Sequence, residues 1–342
     1  MRAGHITTGR SAEQEQFACS LHGLLAAADV PGAARQWASG DRSAGLALWR
    51  QLAGLGVTAL AVPERCGGLG ASLLDVVVAC EELGHHAVPG PVAESAAAVP
   101  ELITALADEH LCARWLPGLA AGDLIATLAM PPWLPYAADA DAAGLILLAE
   151  PGAVSLATAG ARHRSVDPAR SLSEVAGQEV LARGSTAASA AARAREAGTL
   201  ASAAQLLGAG RALLEASVSH ARQRIQFGQP VGAFQAIKHQ LADVAIKLEF
   251  ARPLLDAAAV SLADGPLTPR DVSAAKVACT DAAHRAARAA LQVHGAIGYT
   301  QEHDLHLWLT KVRALAGAWG SQAEHRARVM AAIAPGAEAA WS

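Results

Sequence analysis

The sequence predicts a mainly α-helical protein with a small central sheet, on three observations. The first is the kind of apolar residue. Of the 342 residues, 52% are apolar but only 4% aromatic, so the core is built chiefly from Ala, Leu and Val. Alanine is the best helix former and loses no side-chain entropy, which favours close-packed helices over a β-sandwich. The second is apolar spacing of three and four at both ends of the chain. The third is a change to short apolar runs between roughly 122 and 184.

The elements follow in order. Residues 1–121 form a predicted N-terminal helical domain, with Phe17, Leu21, Leu24 and Leu25 on one face. Val62-Pro-Glu-Arg-Cys-Gly-Gly-Leu-Gly70 breaks it as a loop. Asp75 to Leu83 is a predicted helix stopped by Gly84, and Glu101 to Leu116 another, stopped at Pro117-Gly118. Residues 122–184 form a reduced central β-domain, with strands expected at 124–129, 144–149 and 154–157. Residues 185–342 form a C-terminal four-helix bundle, expected at Thr199 to Arg222, Phe234 to Ala259, Pro269 to His294 and Glu302 to Ala334.

Bulk properties exclude several functions. A net charge of −4 without a long basic run argues against nucleic acid. Cys19, Cys66, Cys80, Cys112 and Cys279 are scattered and form no CxxC pair, so no metal site or disulfide framework is predicted from them. Reduced core thiols, and an opening stretch without an apolar run, place the chain in the cytoplasm. No membrane partner is expected, since Leu145-Ile-Leu-Leu148 is far too short to span a bilayer.

Two segments carry chemistry. At Arg224-Ile-Gln-Phe-Gly228 a long helix ends in a turn presenting a guanidinium and a ring. The guanidinium can pair with a diphosphate through parallel N–H bonds, and Phe227 can meet a flat heterocycle. An arginine there also complements a helix dipole, which is the plainer interpretation of either residue type alone. In Gln292-Val-His-Gly-Ala-Ile-Gly298, two glycines allow close backbone approach and Gln292 can donate to phosphate oxygen. The same glycines would serve a helix C-cap.

Together and in this order, the two segments resemble the acyl-CoA dehydrogenase family. Arg224 to Asp243 follows the family's flavin-loop pattern almost residue for residue, and Gln292 to His306 matches its second signature. Leu55 to Gly70 and Glu81 to Gly84 are similar to its first helical domain. The resemblance implies FAD as cofactor and oxidation of the Cα–Cβ bond of an acyl-CoA thioester. It also implies that Arg224, Phe227, Gln292 and Gly295, with Gln235 as a weaker fifth, hold the ADP half of a flavin whose ring belongs to the neighbouring subunit.

The sequence departs from the family in the other half of the site. The flavin-lining motifs of the middle domain are missing, and the region has Ala129-Met-Pro-Pro-Trp-Leu-Pro-Tyr136 instead. Trp133 is taken there as simple packing of a Pro-rich loop. The family's two positions for the catalytic carboxylate fall on Trp319 and Gly198, and neither can accept a proton. Glu196, Glu302, Asp304 and Glu324 lie nearby but are expected to be solvated charges or caps, so no catalytic residue is assigned. The pattern resembles the short, degenerate subunit of the hetero-oligomeric acyl-CoA dehydrogenases of actinobacterial steroid side-chain breakdown. It implies a longer catalytic partner in a heterotetramer. Two alternatives stand beside it: a self-sufficient homo-oligomer with a displaced base, and a pseudoenzyme binding acyl-CoA or protein.

Overall fold

The computed structural model describes residues 9–264, 269–300 and 303–334. Six helices open the chain: α1 (Ala12–Ala27), α2 (Val30–Ser39), α3 (Ser43–Gly54), α4 (Leu73–His85), α5 (Val99–Ala105) and α6 (Glu109–Ala120). Ser11 caps α1 and Ser72 caps α4, each through a reciprocal box with the residue three positions on. Two helices end differently from expectation. Gly84 does not stop α4, which continues to His85; it sits where a Cβ would run into the backbone of Gln205. Its lack of a side chain serves helix packing rather than a cap. The helix expected from Glu101 to Leu116 is two, because the chain turns at 106–108 before Asp108 caps α6, and Pro117 lies inside α6. A π-helical turn, Glu94–Ala98, leads into α5 and buries Glu94.

The middle of the chain holds β1 (Ala126–Ala129), β2 (Ala137–Ala138), β3 (Leu145–Glu150), β4 (Ala153–Arg164) and β5 (Ser171–Arg183), in the order β1-β3-β4-β5-β2. β1 and β3 are parallel; the other neighbours are antiparallel. Apolar runs disclosed β1, β3 and the start of β4. They missed β5 and the far half of β4, because these pair as an exposed ribbon that buries little.

The rest is helical: α7 (Gly184–Gln223), α8 (Gln235–Asp264), α9 (Pro269–His294), α10 (Leu305–Gly317) and α11 (Gln322–Ile333). A short hairpin of β6 (Ile225–Gln226) and β7 (Gln229–Pro230) joins α7 to α8. α7 packs on α4, α8, α9 and α10, so it is the central post of the molecule. Its inner face is mostly alanine, with Gly208 and Gly210 where α4 and α9 come closest. The fourth bundle helix, expected unbroken to Ala334, is broken at 318–321. Trp319 and Gly320 both take positive φ (61° and 98°), and Ser321 with Glu324 opens a new capping box. Glu302 lies outside the described residues.

Candidate functional site

One corner of the bundle presents polar and aromatic groups outward. α7 and α9 end side by side there, with the rings of His220 and His294 centred 4.3 Å apart. The chain leaves α7 at Arg224, whose N–H donates to the carbonyl of His220, and folds into the β6–β7 hairpin. Phe227 and Gly228 form its two-residue turn with φ of 53° and 80°. Two positive values at a hairpin tip define a turn that normally selects Asn-Gly. A phenylalanine held there costs of order 1 kcal/mol of backbone strain. It is also 91% exposed, so burial does not offset that cost. Phe234 meets its ring edge-on at 6.2 Å, which is the contact that orients it. Strain without burial points to a ring placed for a ligand.

The other predicted residues share that corner. Arg224, Gln235 and Gln292 are exposed, and among the described residues no ion pair involves Arg224. Gly295 follows the last residue of α9 with φ 63°, a conformation glycine adopts at no steric cost. The fold thus brings Arg224, Phe227, Gln235, Gln292 and Gly295 to the end of one bundle. An unpaired guanidinium, two free amides and a bare ring suit a diphosphate joined to a flat heterocycle. All five face away from the chain's own interior.

The interior is arranged differently. Gly198 on α7 lies directly beneath Trp319: a Cβ there would run into the indole ring. Trp319 is 1% exposed and its indole fills the space between α7 and the α10–α11 break. Around it the polar groups are sealed. Glu94 is buried 3.7 Å from Arg170, and burial pushes its carboxyl above the usual range against the pull of that arginine. His325 faces the carbonyl of Trp319 at 2.9 Å through Nε2 and the Ser273 hydroxyl at 3.1 Å through Nδ1. Lys276 donates from Nζ to Ser202 Oγ and to the carbonyl of Leu315, at 2.7 and 2.8 Å. Burial lowers the pKa of this lysine to about 7. Outside this cluster lies a cleft of about 720 Å³, lined by Trp133, Arg164, Arg170, Arg313, Ala318 and Ser321 among others.

Among the described residues, three of the carboxylates near the missing base positions, Glu196, Asp304 and Glu324, are committed. Glu324 accepts from the Ser321 N–H at 2.6 Å, as a cap does. Asp304 pairs with Arg35. Glu196 differs from the expected solvated charge, because it is fully buried and holds Arg195 and Arg328 at 3.0 and 2.6 Å. Those two guanidinium groups also stack on Trp133, at 5.0 and 5.3 Å from its ring. Trp133 is therefore the partner of two buried-side arginines rather than filler in a Pro-rich loop.

Comparison with known proteins decides the family. The description "Acyl-CoA dehydrogenase, N-terminal domain" matches residues 11–123, and "Acyl-CoA dehydrogenase, C-terminal domain" matches 189–334. The chain belongs to the acyl-CoA dehydrogenase family. It is 31% identical to acyl-CoA dehydrogenase IpdE2 of Mycobacterium tuberculosis, over 87% of this chain and 90% of that one. Acyl-CoA dehydrogenase FadE34 of the same organism is also 31% identical, over 95% of this chain but 48% of its own length. Among solved structures, the Mycobacterium tuberculosis ChsE4-ChsE5 complex gives a TM-score of 0.80 at 22% identity, covering 98% of this chain and 100% of that one. Butyryl-CoA dehydrogenase of Megasphaera elsdenii gives 0.80 at 20% identity, covering 95% and 99%.

With the acyl-CoA dehydrogenase family comes its cofactor, FAD. The outer corner fits that group, since Arg224 is exposed without an ion pair and Phe227 is held bare at a strained tip. The residues that sequence reasoning missed lie inside: Glu94, Arg170, Lys276 and His325. Their only signal is a charge within an apolar stripe, as where Lys276 stands between buried Val272, Ala275 and Cys279 on α9.

Proposed function

We propose that this chain is the non-catalytic subunit of an FAD-dependent acyl-CoA dehydrogenase, completing the flavin site of a longer catalytic partner. The observation that carries the reading is the packing of Trp319 on Gly198. Those are the two positions where a carboxylate would have to stand, and here one is bare and the other fills the space with an indole. A general base must reach the substrate's α-proton directly or through one water, and Glu196, Asp304 and Glu324 are each spent on an arginine or a cap. When bound, FAD supplies the oxidant for the Cα–Cβ bond. What this chain adds is binding: Arg224 to diphosphate, Phe227 to the flat end, with Gln235, Gln292 and Gly295 around them. These five are proposed as its cofactor residues and none as catalytic.

Partner docking has a physical basis on α8. Ile246, Phe250 and Leu254 recur every four residues and are 53%, 72% and 48% exposed, an apolar stripe on one face of a helix. This chain matches only 48% of FadE34, so that protein holds about as much again besides, in keeping with a companion of subunit size. A heterotetramer acting on an acyl-CoA, with a steroid side-chain CoA ester as the candidate substrate, follows from the relatives as analogy. We carry the division 1–121, 122–184 and 185–342 and a cytoplasmic location as part of the same proposal. Among the described residues no single helix is long and apolar enough to cross a membrane.

The test is purification alone and together with the product of a neighbouring, longer dehydrogenase gene. The chain alone is expected to carry little FAD, and the pair to be yellow. Stoichiometric FAD and turnover on the isolated homo-oligomer would overturn the reading in favour of a self-sufficient enzyme.

A further inference from the structure

We propose that His22, Glu82, His85 and His86 form a binding site for a divalent transition-metal ion of the zinc type, tying α1 to α4. The cysteines gave no metal signal in the sequence, and Glu82, His85 and His86 gave none alone because the remaining ligand, His22, comes from a different helix 60 residues earlier. Glu82, His85 and His86 stand three and four residues apart, which puts them on one face at the end of α4. His22 reaches that face from α1. One ligating atom from each of the four lies within 4.8 Å of the other three.

The local hydrogen bonding leaves room for a cation. His22 Nδ1 is 2.9 Å from Glu82 Oε2 and 3.2 Å from His86 Nε2, so three potential lone pairs converge where one proton at most can be shared per contact. The ring centres of His22, His85 and His86 lie 4.7 to 5.1 Å apart. His85 Nδ1 is buried without a hydrogen-bond partner. An orphaned buried ring nitrogen is costly unless something binds it.

The outer shell is the kind that fixes metal ligands. His85 Nε2 is 3.0 Å from Glu215 of α7, which sets its tautomer. Arg211 donates to Glu82 Oε1 at 2.8 Å and leaves Oε2 turned to His22. Trp308 donates to the His85 carbonyl at 2.7 Å and holds the end of α4 in place. His22 is 44% exposed, which gives an ion a way in. Three imidazoles and one carboxylate favour zinc, and by the same donors cobalt, over magnesium or calcium. The site touches neither the outer corner nor Trp319, so its role is structural and independent of the flavin.

The experiment uses the full chain, stripped with a chelator and titrated with zinc and with cobalt. One equivalent should bind, the cobalt form should show intense visible bands of a four-coordinate site, and zinc should raise the melting temperature. His22→Gln should abolish all three while the metal-free variant melts as the metal-free wild type does. Glu215→Ala, which removes the outer-shell contact to His85, should weaken zinc by about tenfold to a hundredfold. No stoichiometric binding would overturn the proposal. So would binding unchanged in the His22→Gln, His86→Gln double variant, which would place the ion at the His220, His294 and His303 rings instead.

Discussion

Arg224 is the residue on which the proposed flavin corner turns. Among the described residues its exposed guanidinium has no carboxylate partner, so removing it should cost the fold little. In the complex, Arg224→Ala should lower FAD affinity by about ten- to a hundred-fold, since a charge-assisted bond to phosphate contributes about 1.5–3 kcal/mol. The check is flavin occupancy after dilution alongside the melting temperature; lost stability with flavin retained would favour the helix-end role. Gly198 carries the opposite expectation. Gly198→Ala forces a methyl into the Trp319 ring and should cost about 1–3 kcal/mol by overpacking. In a Trp319→Ala background the same change should cost far less, and that non-additivity in urea unfolding is the measurement. Glu196→Gln should lower stability, because it leaves Arg195 and Arg328 poorly paired. Turnover of the complex should stay within a few-fold.

At the scale of elements, α9 carries a charge where its apolar stripe should be unbroken. Lys276 donates to Ser202 Oγ and the Leu315 carbonyl, and among the described residues no ion pair involves it. Burial has lowered its pKa from the ordinary 10.5 to about 7. The unfolded chain therefore binds a proton that the native chain does not between those two values. Stability from this group is fully present above the unfolded pKa and is lost as pH falls towards 7. Lys276→Met should flatten that slope, so the melting temperature of wild type relative to that of the variant should rise as pH goes from 7 towards 9. A constant difference across that window would mean that the lysine stays charged inside. The break between α10 and α11 belongs to the same scale. Ser321 and Glu324 begin a new helix after Trp319 has turned inward, and a capping box is legible in sequence, whereas the reversal before it is not.

For the whole molecule the question is which subunit does the chemistry. If the interior around Trp319 is closed, each partner subunit supplies one working site. Removing the partner's candidate glutamate should then cost about 10²–10⁴-fold in turnover, as loss of a general base does. Changing Asp304 or Glu324 singly to the amide should leave turnover within a few-fold, because each is spent on a pair or a cap. A single such change that abolishes turnover with flavin still bound would show that this chain supplies its own base.

The sequence by itself determined the family, the helical character of both ends of the chain, and the corner proposed for the flavin. Those features are local: helix spacing, a glycine after α9, and two contiguous motifs whose residues stay neighbours in space. The resemblance also put Gly198 and Trp319 at the family's expected base positions, but nothing in it implied that one packs on the other. That contact joins residues 121 positions apart, and nothing in either segment signals it. The exposed ribbon of β4 and β5 escaped because an element that buries little needs no apolar pattern. Glu196 looked like a surface charge because its arginines arrive from Arg195 next door and from Arg328 at the far end of the chain. Burial and pairing are properties of the packed whole, so only the tertiary structure decided which charges are buried, and that Trp319 packs on Gly198.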